Sequence, residues 1–402
     1  MNLSYKHRLY PSRVQAKLLD KMLEIHRTVY NDALTERREA WKRCKISINY
    51  YTQANQLKDI RKFDEDVAWC NYSSLQQTLR RLRKAFDGFF RRVKASEKAG
   101  FPRYKGKHWF KSMCFVYDDG LRLRDGKLYV HNVGLIRIFQ HRPLPEDAEI
   151  KMAILKRDQI GHWYVIFQLE LPDAELVPSG KPDVGIDVGF ERLAALSTGE
   201  WIDNPRWFRM AEQKLATLQR RRSRCPRGSN KYRELTRQIR CLHEHTANQR
   251  RDFHHKESTK IVQRFGLIAV EDLNVRGLAR SHVAKSIADA GWSGFVSMIE
   301  YKAANAGARF MKVNPNRTSQ VCSGCGCNVP KDLSVRVHSC PHCGIVLDRD
   351  HNAALNILAL GQRAAAKRPA TSAVGGSSPL YRGEDVTSST MLGASSPWDT
   401  KR

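Results

Sequence analysis

The sequence has no long apolar segment. Nowhere in its 402 residues do eighteen apolar residues follow one another, the length that a membrane-spanning helix requires. Residues 1–6 also lack the apolar stretch of a secretion signal. We therefore expect no membrane contact and no secretion, and a cytoplasmic protein.

Acidic residues are scarce relative to basic ones. The chain has 41 Asp and Glu against 69 Lys and Arg, which gives a net charge of +28 and a pI near 9.9. This excess is more than solubility requires and suits a polyanion, so we expect nucleic acid as the partner. A protein that only neutralises phosphates is the alternative. The hydrophobic content of 41% nevertheless supports cores of enzyme size, and the length favours two or three domains.

The ten cysteines are not distributed as in a disulfide-rich domain. Five are scattered and five lie in residues 322–343, the usage expected in a reducing compartment. Cys322 with Cys325, and Cys340 with Cys343, form two C-x2-C knuckles separated by fourteen residues. This spacing predicts one structural Zn²⁺ held by four thiolates, with an iron centre or a redox pair as alternatives. The further donors that could substitute are Cys327, His338 and His342.

The first half begins with helical patterns. Apolar residues recur at three- and four-residue steps over residues 15–34 and again over 75–89. Basic side chains accompany the second pattern, and they suit a phosphate-binding groove as well as a solvated helix face. They are Arg80, Arg81, Arg83, Lys84, Arg91 and Arg92.

Residues 112–171 change to a period of two, which predicts an antiparallel sheet that could form a small barrel. Residues 163–167 are typical of a buried strand, and we expect this strand to close the sheet. Pro178 and Gly180 then indicate a domain boundary near residue 180.

Three acids occur at informative places. Asp187 lies on an apolar strand between two glycines, Glu271 follows four apolar residues, and Asp350 opens a helix. Each has an ordinary explanation, because some ATPases begin with a similar strand, a strand-end Glu is usually solvated, and Asp350 could be only an N-cap. In this order, however, they match the catalytic set of RNase H-like nucleases.

Phosphodiester hydrolysis explains why carboxylates are needed. Two Mg²⁺ ions about 3.5–4 Å apart require anionic oxygen ligands. Asp187 would contact both ions, and Glu271 and Asp350 would each complete one. Asp272 is the rival for the second position and Asp348 for the third.

The segment between Asp187 and Glu271, residues 205–260, has sixteen basic residues against five acidic ones. We expect a helical hairpin broken at residues 226–228, with a polyanion nearby. Residues 291–304 predict a helix and residues 310–313 a strand. Residues 361–402 contain twenty-five Gly, Ala, Ser, Thr or Pro and are expected to be disordered. The candidate nucleic-acid contacts in the hairpin are Arg220, Arg221, Arg222, Arg250 and Arg251.

Five motifs together resemble TnpB, a family of transposon-encoded nucleases similar to the miniature type V CRISPR effectors. They are GIDVG at 185–189, VEDLN at 270–274, DAGW at 289–292, TSQVCSGCG at 318–326 and DRDHNAA at 348–354. The resemblance covers nearly all of residues 1–360.

The resemblance implies a multidomain α/β and β fold. It has a wedge-type β-barrel at 1–10 and 111–180 and a helical recognition lobe at 11–110. A RuvC/RNase H-like nuclease domain is expected at 181–317 and 347–360, a zinc ribbon at 318–346, and the disordered tail at 361–402.

The resemblance also implies a guide RNA, cleavage of double-stranded DNA, and catalysis by Asp187, Glu271 and Asp350, which favours Asp350 over Asp348. Arg103 and Lys105 join the candidate nucleic-acid contacts, and association with the nucleoid is expected during activity. Two other hypotheses remain open: a guide-independent RuvC-like nuclease or transposase-associated protein, and a non-catalytic zinc-ribbon repressor. The oligomeric state is left open.

Overall fold

The computed structural model describes residues 2–172, 180–274, 286, 289–332 and 335–367. These residues fall into two compact units, one up to residue 172 and the other from residue 180 onward. Within these ranges, no helix is both long and apolar enough to span a membrane.

The first unit contains a seven-stranded antiparallel sheet that curves into a nearly closed barrel, as predicted. Its order is β2-β6-β7-β1-β5-β4-β3. The strands are β1 (Asn2–Tyr10), β2 (Ser112–Val116), β3 (Leu121–Arg124), β4 (Lys127–Val130), β5 (Gly134–Phe139), β6 (Glu149–Arg157) and β7 (Trp163–Glu170).

The expected position of the strand at residues 163–167 was wrong. These residues do form a buried strand, but β7 lies in the middle of the sheet between β1 and β6 and does not close it. The reason is long-range pairing with the N-terminal strand, from Asn2 opposite Glu170 to Leu9 opposite Trp163. A local apolar run predicts a buried strand but carries no information about which distant strand pairs with it.

Four helices connect β1 to β2: α1 (Arg13–Cys44), α2 (Tyr50–Phe63), α3 (Glu65–Trp69) and α4 (Tyr72–Lys94). Both predicted amphipathic helices are confirmed. Helix α1 begins with a capping box, because Ser12 accepts from the Gln15 backbone while the Gln15 side chain accepts from the Ser12 backbone. Leu19 of α1 and Leu75 of α4 are fully buried in the same apolar core as the barrel.

The second unit is built on a mixed five-stranded sheet in the order β10-β9-β8-β11-β12. Strands β8 (Asp183–Val188), β11 (Leu267–Glu271) and β12 (Arg309–Val313) are parallel, whereas β9 (Arg192–Leu196) and β10 (Trp201–Asp203) are antiparallel to their neighbours. The strands predicted around Asp187, before Glu271 and at residues 310–313 are therefore confirmed.

Helices cover both faces of this sheet. Helix α5 (Trp207–Ser223) and helix α6 (Asn230–Arg264) form the predicted hairpin, α7 (Trp292–Asn305) is the predicted third helix, and α8 (Arg349–Ala366) follows the hairpin β13 (Val337–Ser339) and β14 (Val346–Asp348). Even-numbered strand residues such as Ile186 and Ile268 pack with α6 and α7. Odd-numbered ones such as Ala269 pack with α8.

The start of the disordered tail, predicted at residue 361, was placed too early in the sequence. Residues 361–366 are the last turns of α8, because Gly361 meets Ala269 of the sheet and Ala365 is buried in the same cluster. The small side chains that suggested disorder here permit a close helix–sheet contact. The remainder of the predicted tail from residue 368 lies outside the described residues.

Candidate functional site

The first two predicted carboxylates lie on neighbouring parallel strands. The register pairs Ala269 with Gly185 and Val270 with Ile186, so Glu271 and Asp187 come next, side by side at the carboxyl ends of β11 and β8. Adjacent strands are about 4.8 Å apart, and residues two apart share a face. Asp187 and Glu271 therefore lie on the sheet face that packs against α8.

Helix α8 brings the third carboxylate to this face. Asp348 is the N-cap of α8, and its side chain accepts a hydrogen bond from the Asp350 backbone N at 2.8 Å. The possibility that Asp350 serves only as the N-cap is thus wrong, since Asp348 has that role and Asp350 lies in the first turn.

Glycine lets α8 lie directly on β8. A methyl group built at Gly185 would be only 2.1 Å from the carbonyl oxygen of Ala354 and 2.5 Å from the backbone N of Leu358. No side chain fits there without moving the helix. The close approach fixes the first turn of α8, and with it Asp350, beside the end of β8.

The three carboxylates interact electrostatically. Burial, followed by the negative charges of Glu271 and Asp350, raises the pKa of Asp187 well above its ordinary value. Burial also raises the pKa of Glu271, although the Thr318 hydroxyl donates to its Oε1 at 2.5 Å and opposes the shift. Desolvated, like-charged carboxylates are unfavourable unless cations offset them. An all-oxygen anionic donor set of this kind fits Mg²⁺.

Two arginines near Asp350 were not predicted. Arg349 donates from Nε to Asp350 Oδ1 at 3.0 Å, and Arg336 Nη1 lies 3.8 Å from Oδ2. Arg336 also pairs with Glu191 at 2.8 Å. Arg349 is next to Asp350 in the sequence, so its contact could have been predicted. The contact of Arg336 depends on the folding of strands β13 and β14, which lie between Arg336 and Asp350 in the sequence.

The DAGW motif supports the loop that follows Asp187. Trp292 is buried, and its Nε1 donates to the carbonyl oxygen of Gly189 at 3.0 Å. Gly291 has a φ of 65° and lies against Arg250, where a Cβ would be 3.1 Å from Cδ. Asp289 accepts from the backbone N of Phe208 at 2.8 Å. These contacts anchor α5 and α7 beside the end of β8.

The four predicted zinc ligands form one cluster. The Sγ atoms of Cys322 and Cys343 are 3.6 Å apart, as are those of Cys325 and Cys340, and all four lie within 4.8 Å of one another. A tetrahedral site with Zn–S bonds of about 2.3 Å separates its sulfurs by about 3.8 Å, whereas a disulfide requires about 2.05 Å. The arrangement therefore suits one metal ion and no disulfide. The suggested substitutes are outside this cluster: Cys327, His338 and His342.

Two asparagines of α8 hold the first knuckle. Asn352 accepts from the Ser323 backbone N at 2.9 Å and donates to the Val321 carbonyl at 2.8 Å. Asn356 donates to the same carbonyl at 2.7 Å and to that of Thr318 at 2.8 Å. The helix that carries Asp350 and the knuckle that carries Cys322 are thus linked by hydrogen bonds.

The predicted nucleic-acid contacts differ in their surroundings. Arg81 stacks over Phe110 and donates to the Ser112 carbonyl, and Arg250 donates to the Asp289 carbonyl, so both guanidinium groups contribute to packing. The other predicted contacts are accessible to a partner to different degrees. The exposed ones are Arg80, Arg83, Lys84, Arg91, Arg103, Arg220 and Arg221, and the partly buried ones are Arg92, Lys105, Arg222 and Arg251.

The protein shares its fold with a solved structure. Over 86% of this chain and 83% of the other, the protein resembles the chain in "Cryo-EM structure of the Cas12f1-sgRNA-target DNA complex", with a TM-score of 0.55 and 18% identity. The family described as "Probable transposase" matches residues 166–282, "Cas12f1-like, TNB domain" matches 292–357, and "Helix-turn-helix domain" matches 1–45. The last range contains β1 and one continuous helix, α1.

Full-length relatives identify the family. A Streptomyces pristinaespiralis protein named "Putative RNA-guided DNA endonuclease" is 35% identical over 369 residues, 90% of each chain. An Escherichia coli K12 protein named "Putative RNA-guided DNA endonuclease InsQ" is 29% identical over 89% of this chain and 92% of its own. The chain belongs to the TnpB family.

Proposed function

We propose that this chain is an RNA-guided DNA endonuclease that hydrolyses DNA phosphodiesters at one carboxylate site with two Mg²⁺ ions. The observation that carries the proposal is the convergence of Asp187, Glu271 and Asp350 from β8, β11 and the start of α8. The names of the full-length relatives supply RNA guidance and the DNA substrate. One structural Zn²⁺ would be bound by Cys322, Cys325, Cys340 and Cys343.

The domain assignment follows from this proposal. Residues 1–10 and 111–180, which include the barrel strands, would be the wedge domain, and residues 11–110, which include helices α1 to α4, the recognition lobe. Residues 181–317 and 347–360 would form the RuvC-like nuclease domain around the zinc ribbon at 318–346. The net charge of +28 supports a long nucleic-acid partner.

In the proposed mechanism, Asp187, Glu271 and Asp350 would hold the Mg²⁺ ions through their carboxylate oxygens. When bound, the ions supply Lewis-acid stabilisation of the phosphate and lower the pKa of water. Asp187 is suited to bind cations because desolvation, followed by the charges of Glu271 and Asp350, destabilises its half-buried carboxylate. Thr318 orients Glu271 by donating to Oε1. Arg349 holds the Asp350 carboxylate by donating from Nε to Oδ1.

The test concerns the RNA and its identity. The protein is purified from a strain that carries the native locus, and the bound RNA is sequenced. We expect a discrete species that maps beside the gene and is required to cut a matching DNA.

Other outcomes favour the alternatives. Random cellular RNA together with DNA cleavage that survives RNase treatment before assembly would indicate a guide-independent nuclease. Binding without metal-dependent cleavage of any DNA would indicate a zinc-ribbon repressor.

A further inference from the structure

A cavity of about 240 Å³ lies beyond the carboxyl end of β8, where the chain turns into β9. It contains none of the candidate carboxylates or zinc ligands. We name it the Phe190 pocket, and its walls include Phe190, Glu191, Asn204, Arg206, Arg209 and Asp289.

Asn204 organises the pocket from two sides. Its Nδ2 donates to the Phe190 carbonyl at 3.1 Å, and its Oδ1 accepts from the Arg206 backbone N at 3.1 Å. Arg206 has a φ of 52°, in the left-handed region that non-glycine residues seldom adopt. Such conformations persist where neighbouring contacts enforce them, and they are frequent at ligand sites.

The pocket combines an aromatic face with two cations. Phe190 packs on the buried Trp292 ring with centroids 4.6 Å apart, and Phe190 itself is 37% exposed. Because Trp292 is held by its hydrogen bond to Gly189, the Phe190 ring has a fixed support. Arg206 and Arg209 are both exposed on the adjoining wall.

A buried acceptor completes the pocket. Asp289 is only 5% exposed, and its Oδ1 accepts from the Phe208 backbone N. Its Oδ2 is buried and has no hydrogen-bond partner among the described residues. A buried polar atom without a partner requires an explanation, and a donor on a ligand would provide one.

We propose that the Phe190 pocket binds one nucleotide of the substrate strand next to the phosphodiester that is cut. The base would stack on Phe190, a phosphate would pair with Arg206 and Arg209, and an N–H group of the base would reach Asp289. Asp187 precedes Phe190 by three residues, at most about 10–11 Å of chain. An aromatic face accepts any base, so the pocket positions the strand without selecting its sequence.

This inference rests on the proposed function, because it assumes that DNA is cut beside Asp187. Its test uses the full chain with its co-purified RNA, carrying Asp187→Ala so that DNA stays intact. Single-stranded DNA is prepared with 2-aminopurine at one position at a time, since stacking on an aromatic ring quenches its fluorescence. Wild-type protein cutting the same strands supplies the cleavage position.

We expect quenching confined to one or two nucleotides adjoining the cut. Phe190→Ala should abolish that quenching and weaken binding of the labelled DNA strand about 5- to 150-fold. Phe190→Trp should retain both the quenching and the binding. Met210→Ala, an exposed change on α5 beside Arg209, is the matched control and should change neither.

The outcomes separate the two proposals. Quenching that is spread evenly, or that survives Phe190→Ala, would overturn the pocket proposal even if the wild type cuts DNA. Position-specific quenching that depends on Phe190, in a protein whose wild type cuts no DNA, would retain the nucleotide pocket and remove the nuclease assignment.

Discussion

The contact between α8 and the sheet gives a prediction with a built-in rescue. A Cβ at Gly361 would lie 2.4 Å from the Cβ of Ala269 on β11, and its next contacts are at 3.6 Å or more. Replacing glycine by alanine within a helix normally stabilises by about 0.8–1.0 kcal/mol. Overpacking a core costs about 1–3 kcal/mol, so Gly361→Ala should lower the stability of the second unit by up to about 2 kcal/mol.

Removing the opposing methyl group should restore the fit. Ala269→Gly alone loses about 0.8 kcal/mol of methyl burial and about 0.5–1 kcal/mol from glycine in a strand. In the double variant the methyl count is unchanged, and the helix gain offsets the strand loss. We therefore expect stability close to that of the wild type and a coupling of roughly 2 kcal/mol between the two sites.

Thermal unfolding of the four proteins measures this coupling, with about 2–4 °C expected per kcal/mol for a unit of this size. DNA cleavage should follow the same order, because α8 carries Asp350. Gly88→Ala on α4, where the nearest atom is 3.7 Å away, is the control and should be stabilising. If the double variant is no more stable than Gly361→Ala, the close approach of α8 to β11 is not as described.

Three further predictions concern metal and protons. Replacing Cys322 and Cys343 by Ser should remove zinc from chelator-washed protein and lower its melting temperature, whereas Cys44→Ser should do neither; retained zinc would contradict the four-thiolate site. Burial lowers the pKa of His26 to about 3, so the unfolded chain takes up a proton before the folded one as pH falls below about 6.5. The free energy of unfolding should therefore drop by about 2 kcal/mol at pH 5. His26→Leu should flatten this dependence of the melting temperature on pH. Asp187→Asn should stabilise the metal-free protein above about pH 4, where the raised pKa of the Asp187 carboxyl disfavours the native state. The same change should abolish stabilisation by added Mg²⁺. Equal melting temperatures for the wild type and Asp187→Asn would contradict the carboxylate cluster.

Strands and helices with strong local patterns were predictable from the sequence. Leu267–Glu271 forms a strand because a buried parallel strand is continuously apolar, and the acid at its end marks the edge of the sheet. The C-x2-C spacing similarly predicted the thiolate cluster, since the ligands of a structural zinc site occur in closely spaced pairs.

Features that depend on distant partners were not predictable. The central position of β7 depends on pairing with β1, more than 150 residues earlier in the chain. Arg81 and Arg250 were grouped with exposed arginines because composition does not show which guanidinium group finds Phe110 or the Asp289 carbonyl. The Phe190 pocket had no sequence signal beyond the proximity of Phe190 to Asp187.

The central claim is that three carboxylates on β8, β11 and α8 form the nuclease site, and single substitutions test it most directly. Asp187→Ala, Glu271→Ala and Asp350→Ala should each abolish Mg²⁺-dependent cleavage while nucleic-acid binding persists, since binding depends on the basic surface. Asp348→Ala should cost about 0.5–2 kcal/mol of stability as a lost N-cap but retain cleavage. Cleavage by Asp350→Ala together with its loss in Asp348→Ala would contradict the account.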